Sequence, residues 1–264
     1  MGPIMTRTAR RARQILREFE AMGNPANVEG MSRYGIRSAS VLGITAPVVR
    51  ARAKALGRDH ELAAALWETG VMEVRILAAL TDDPALVTDA QMEAWVREFD
   101  SWALCDGVCS VLFDRTPFAV AKTRAWLRRP EEYGRRAGFV LMAALAVHDK
   151  AAPDRLFLSF LPLIEKGASD GRNFVKKAVN WALRGIGKRN LALNAAAVEV
   201  CRRLVAREES AARWVGRDAL AELTSARTLA RIRTARSRPR GPARTRSRRR
   251  RSADTRAQTN RPRT

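Results

Sequence analysis

From residue 8 to residue 226 the apolar residues of this chain recur three or four positions apart and almost nowhere alternate singly with polar ones. That is the period of a helix with one buried face, and the scarcity of Val/Ile/Thr alternation removes the half-buried strand as an element. An all-α fold is expected. Breaks fall at Pro25, Pro47, Asp82-Asp83-Pro84, Pro117, Pro130, Pro153 and the stretch from Gly167 to Gly171, and they cut the pattern into segments of ordinary helix length. Segments this short, so tightly punctuated, pack as pairs.

The pairs carry a degenerate repeat. VMEVRILAAL (71–80), YGRRAGFVLMAAL (133–145), NFVKKAVNWAL (173–183) and ARWVGRDALAEL (212–223) each set a basic residue ahead of an Ala- or Leu-rich stripe, which makes Arg75, Arg136, Lys177 and Arg217 equivalent positions. The interval between the first two holds a further unit, and Asp106 falls near its middle. Stacked helix pairs form a curved solenoid whose second helices line the concave face. The expected architecture is therefore an α-solenoid with a concave basic groove, interrupted by one acid.

Charge points the same way. The formal charge is +22, with 42 arginines against 7 lysines. Thirteen arginines against Asp254 give the segment from residue 233 a charge of +12, leaving +10 for residues 1–232. The division expected is a folded body over 1–232 and a disordered Arg-rich tail over 233–264. A basic body and a polycationic tail seek a polyanion, of which nucleic acid is the commonest, although Arg-rich composition also follows from a GC-rich genome. No run of eighteen apolar residues suggests a membrane span, and MGPIMTRTARRARQILREFEAM lacks the apolar stretch of a secretory signal. A cytoplasmic, nucleoid-associated bacterial protein is expected, as a monomer. Cys105, Cys109 and Cys201, with His60 and His148, are too few and too scattered for a disulfide framework or a zinc site, so reduced core thiols and no metal are expected.

One motif stands out from this background. In SWALCDGVC (101–109), Trp102 and Asp106 lie one turn apart on the same helix face. Lys177 and Trp181 repeat that spacing downstream, and Arg184 follows one turn on. A tryptophan at helical spacing is more often core than site, and a lone aspartate is usually solvated or a cap.

Taken together, GMSRYGIRSASVLGITAP (30–47), SWALCDGVC, EEYGRRAGF (131–139) and NFVKKAVNWALRGIGKRN (173–190) resemble the AlkD-like family of DNA alkylation repair proteins, over about residues 10 to 225. The resemblance implies a HEAT-like repeat fold. It also implies a monofunctional DNA glycosylase that excises cationic alkylpurines, such as 3-methyladenine and 7-methylguanine, from duplex DNA without metal or other cofactor. The catalytic acid would be Asp106, its partner Trp102, the second tryptophan Trp181, and the active-site arginine Arg136, with Arg135 as its rival. Arg75, Arg135, Lys177, Arg184, Lys188, Arg217 and Tyr34 are the candidate DNA contacts. Tyr133 stands where a tryptophan is common and Thr45 where a glutamine can occur, and both departures bear on lesion preference.

Such chemistry suits one acid in a basic groove. An alkylated purine already carries positive charge and leaves without a general acid, while the sugar develops oxocarbenium character that a carboxylate stabilises. Asp106 must be ionised, and nearby cations such as Arg136 are expected to lower its pKa. Trp102 and Trp181 would hold the sugar, and Arg136 a backbone phosphate. Two other readings remain: a catalytically silent relative that binds damaged or branched DNA, and a scaffold for an acidic protein. His148 is expected to have a surface or capping role only.

Overall fold

The computed structural model describes residues 5–36 and 38–236, and among these every regular element is helical. Two rows of α-helices run through them. The outer row holds α1 (Arg7–Ala21), α4 (His60–Trp67), α6 (Asp89–Arg97), α8 (Ala119–Ala125), α10 (Asp154–Gly167), α12 (Leu191–Val205) and α14 (Ala226–Arg236). The inner row holds α3 (Ala46–Leu56), α5 (Met72–Thr81), α7 (Trp102–Val111), α9 (Glu132–His148), α11 (Asn173–Gly187) and α13 (Ser210–Leu223). Each inner helix packs on the next, α3 on α5 through to α11 on α13, while α1 packs on α4 and α12 on both α10 and α14. The short α2 (Pro25–Arg33) buries none of its residues.

The sequence punctuation marks the helix ends. Pro25 opens α2, Pro47 is the second residue of α3, and Pro153 caps α10; all three stand where a missing N–H leaves no bond unmade. Pro162 is the exception, lying inside α10 on its exposed side. Thr6, Asn24, Asp59, Thr88, Ser101 and Asn190 cap their helices by accepting from the backbone N–H three residues on. The last helix continues through Arg233 to Arg236, past the boundary expected at 232, and the rest of the Arg-rich tail lies outside the described residues. No described helix is long and apolar enough to cross a membrane.

Helix α9 is the centre of the stack. From Arg136 to Ala146 it is buried on every side, as an apolar helix must be when it is wrapped by its neighbours. Three of the six tryptophans are core. Trp67 and Trp95 stack in parallel, centroids 3.9 Å apart, and Trp126 packs on Phe113. The polar edges of these rings are satisfied from the outer row. Trp67 Nε1 donates to Glu98 (2.8 Å) and Trp126 Nε1 to Glu93 (2.7 Å). Burial works against the charge of Glu93, but hydrogen bonds from Lys122 and Trp126 and the charges of Lys122 and Arg129 outweigh it and take the carboxyl down to about 2. The three cysteines are buried and unpaired, and burial pushes Cys201 up to about 12.

Before α3 the chain runs as a strap along the N-terminal ends of the inner helices. Its anchor is Glu73, 1% exposed, whose carboxylate accepts from the backbone N–H groups of Leu42 (3.0 Å), Gly43 (2.7 Å) and Ile44 (3.2 Å). Gly43 has φ of +74°, and a Cβ there would stand 2.3 Å from the Asn24 carbonyl, so no other residue fits. Three converging N–H donors stabilise a buried charge without a cation. Glu73→Gln, which keeps the volume but leaves one acceptor for three donors, is expected to lower stability by about 1–3 kcal/mol. A urea midpoint equal to that of the wild type would show that the strap is held some other way.

Candidate active site

Ser101 starts the site. Its hydroxyl accepts from Leu104 N (3.3 Å) and caps α7, which places Trp102 in the first helical position and Asp106 one turn further along the same face. The Trp102 indole N–H donates to the carbonyl of Tyr34 (3.0 Å), so the strap and this ring are tied together. One neighbouring acid and one backbone bond complete the tie. Asp100 accepts from Ser38 Oγ (2.5 Å) and Ala39 N (3.0 Å), and Met72 N donates to Ser40 O (2.9 Å).

Arg136 enters from α9 and grips Asp106 with both arms: Nε donates to Oδ1 at 2.8 Å and Nη2 to Oδ2 at 2.7 Å. Its remaining arm donates to the carbonyl of Phe174 at the start of α11. One guanidinium therefore joins three consecutive inner helices. The arginine side chain is 6% exposed and that of Asp106 is 19%, so the acid keeps some exposure on the helix face that also carries Trp102. Phe174 packs its ring against Gly35, where φ is +77° and a Cβ would meet the ring at 2.8 Å, and tilts against Tyr133 at 5.7 Å.

The electrostatics correct one expectation. Burial raises the Asp106 carboxyl above its ordinary value, and the hydrogen bonds and charge of Arg136 only partly offset it. Burial also works against the charge of Arg136, but Asp106 outweighs it and Arg136 holds its proton more firmly than a free arginine. Both values move up, but for opposite reasons: at Asp106 burial outweighs the partner, and at Arg136 the partner outweighs burial. The expected phosphate contact of Arg136 is likewise at odds with its burial, since its donors are committed inside the protein.

The other expected residues divide into bound and free cations. Arg75 lies 4.8 Å over the Trp67 ring and pairs with Glu98. Arg135 sits 3.2 Å from Asp170, Arg184 2.7 Å from Glu222, and Lys188 2.7 Å from the same carboxylate. Lys177 and Arg217 are exposed and have no carboxylate partner among the described residues. Trp181 is partly buried on α11, with α9 between it and the helix of Trp102. Tyr34 is 77% exposed. Thr45 is exposed at the start of α3 and makes no capping bond, and His148 Nδ1 pairs with the buried Asp114 at the far end of α9.

Sequence reasoning missed Phe174, Asp100 and Glu73, which act across 29 to 139 residues of chain and leave no local pattern. It also missed Trp214, 39% exposed, with Lys176 Nζ 4.9 Å over its ring. The signal was present there: Trp214 and Arg217 share the i, i+3 spacing already noted at Trp181 and Arg184.

The sequence profile of a family described as DNA alkylation repair enzyme matches residues 15–223. Among solved structures, one described as a new family of proteins related to the HEAT-like repeat DNA glycosylases with affinity for branched DNA structures superposes with a TM-score of 0.66 at 19% identity. The match covers 78% of this chain and 92% of that one, and it identifies the two-row stack as a HEAT-like repeat fold. No curated protein is similar enough in sequence to count as a relative.

Removing the arginine isolates the acid. Arg136→Leu is expected to lower stability by about 3–5 kcal/mol at neutral pH, because an ionised, mostly buried Asp106 is left without a partner. An aspartate whose folded pKa exceeds its unfolded value binds its proton more tightly when folded, so the deficit shrinks as pH falls through the folded pKa. Denaturant titrations at pH 7 and pH 5 that give equal deficits would contradict this.

Proposed function

The chain belongs to the DNA alkylation repair enzyme family, and on that premise we propose that it is a monofunctional DNA glycosylase that hydrolyses the N-glycosidic bond of cationic alkylpurines in duplex DNA. The observation that carries this reading is the Asp106 carboxylate, held bidentately by Arg136, partly exposed, and one helical turn from Trp102.

The chemistry needs little else from the protein. A 3-methyladenine or 7-methylguanine departs as a neutral base, taking the electron pair of the glycosidic bond and leaving positive charge on the deoxyribose. A fixed carboxylate near C1′ stabilises that charge as it forms, and in a part-buried site its effect is larger than in water. The same oxygen orients the incoming water and takes its proton. Arg136 is a positioning residue: it fixes both carboxylate oxygens and leaves Asp106 no freedom to rotate away. Trp102 offers its ring face to the cationic sugar, and Trp181 does so from α11. Phosphates are gripped by the cations left free, Lys177 and Arg217, and less by Arg75, Arg135, Arg184 and Lys188, whose charge is already matched.

In this reading residues 1–232 form the catalytic domain, and the Arg-rich segment from residue 233 holds the protein on the duplex through its charge. The substrate is alkylated duplex DNA, taken by a monomer without metal or other cofactor.

Two outcomes follow. Asp106→Asn is expected to lower release of 7-methylguanine from a duplex on the order of 100-fold or more while duplex affinity stays within a few fold. Equal release by wild type and variant would assign the chemistry to another residue. Release by neither, with tight duplex binding retained, would favour the catalytically silent DNA-binding reading. The pH profile tests the acid separately. Excision requires the ionised carboxylate, so the single-turnover rate is expected to fall as pH drops through the raised Asp106 pKa. An acid limb at or below the ordinary aspartate value would contradict the burial argument.

A further inference from the structure

Helix α1 divides its residues sharply. Ala12, Ile15 and Phe19 are buried against the core, whereas Arg7, Arg10, Arg13, Gln14 and Arg17 are exposed. The spacing of 10, 13, 14 and 17 places them along one outward stripe, with Arg7 a turn ahead. Nearby arginines are paired: Arg11 with Asp59 at 3.0 Å and Arg52 with Glu18 at 2.5 Å. Arg7, Arg10, Arg13 and Arg17 have no carboxylate partner among the described residues. The one bond made by a guanidinium of these four is from Arg10 to the carbonyl of Met5, at 3.2 Å.

This arrangement is unfavourable for the helix by itself. Like charges three and four residues apart repel. Cations in the first turn also oppose the helix dipole, and α1 has no acid there to compensate. The contrast with the inner row is direct, because there Arg75, Arg184 and Lys188 each meet a glutamate. A ridge of uncompensated arginines matches a polyanion with regularly spaced charges.

Its position and composition select the partner. α1 stands in the outer row, packed on α4, one layer away from the inner row that carries Asp106. The ten steps from Arg7 to Arg17 rise about 15 Å, the axial length of about four to five base pairs at 3.4 Å each. The guanidinium fork matches phosphate oxygens in pairs. The outward stripe holds no large apolar side chain, since Ile15 and Phe19 face the core, so nothing on it enters a lipid layer.

We propose that the exposed face of α1 is a second DNA-binding surface, which holds the phosphate backbone of a duplex segment other than the one lying on the inner row. It rests on the reading of this chain as a DNA-binding protein but not on its chemistry. One molecule then bridges two duplex segments.

The test uses the full-length protein and undamaged duplexes. Short duplexes carrying a donor dye and others carrying an acceptor are mixed with the wild type or with Arg10→Gln/Arg13→Gln/Arg17→Gln, three exposed changes whose effect on the fold is checked by circular dichroism and thermal melting. The wild type is expected to bring two duplexes together by energy transfer. The variant is expected to lose that transfer, weaken the second binding step on the order of 10-fold or more, and lower its salt slope by about three. Binding of the first duplex and single-turnover excision at saturating protein should be unchanged. Energy transfer that is absent in the wild type, or equal in the variant, would overturn the proposal. So would a variant that still bridges duplexes but no longer sediments with phosphatidylglycerol vesicles or binds polyglutamate. A failure of the glycosylase reading shows elsewhere, as an Asp106→Asn protein with undiminished excision.

Discussion

The ion pair between Asp106 and Arg136 is the constraint around which the inner row is organised. A guanidinium this deeply buried requires a partner for every arm, and it finds them on α7 and at the head of α11 while being carried on α9. Neither partner is tolerable there alone. The pair therefore fixes the relative placement of three helices and, in the same act, fixes the carboxylate in orientation. The position of Asp106 is thus set by the packing of the helices themselves.

The strap closes this arrangement at the N-terminal ends of the helices. Glu73 gathers three backbone N–H groups, Asp100 holds Ser38 and Ala39, and Tyr34 and Gly35 receive Trp102 and Phe174 respectively. Buried carboxylates thus act twice near the site, once on a cation and once on backbone dipoles. Charge is not spread evenly elsewhere either. Arg75, Arg135, Arg184 and Lys188 are neutralised locally, whereas Lys177, Arg217 and four arginines of α1 have no carboxylate partner among the described residues.

Burial decides how these groups behave. Asp106 lies beside an arginine and still has a raised pKa, because the loss of water around a carboxylate outweighs one good partner. Glu93 shows the opposite balance with Lys122, Arg129 and the Trp126 indole around it. Asp106 is the more deeply buried of the two and has one cationic partner, whereas Glu93 is shallower and has several donors, and the two differences together separate the cases.

Much of this was legible in the chain. The three-and-four period determined the helical class, the prolines marked many helix ends, and the repeated basic position located Arg75, Arg136, Lys177 and Arg217 on inner helices, with α7 and Asp106 between the first two. The placing of Trp102 and Asp106 on one helix face was readable because, within a single helix, sequence distance is spatial distance. What each repeat position does was beyond reach. Arg75 leans on Trp67, Arg136 is buried on Asp106, and Lys177 and Arg217 face solvent, although all four follow one local pattern. Pairing, desolvation and exposure depend on which residues tens of positions away arrive within 3 Å, and only the stacking of one helix on the next decides that. By itself the sequence determined a helical repeat with one acid among its bases; the tertiary structure decided which charges are satisfied, and so which remain for a partner.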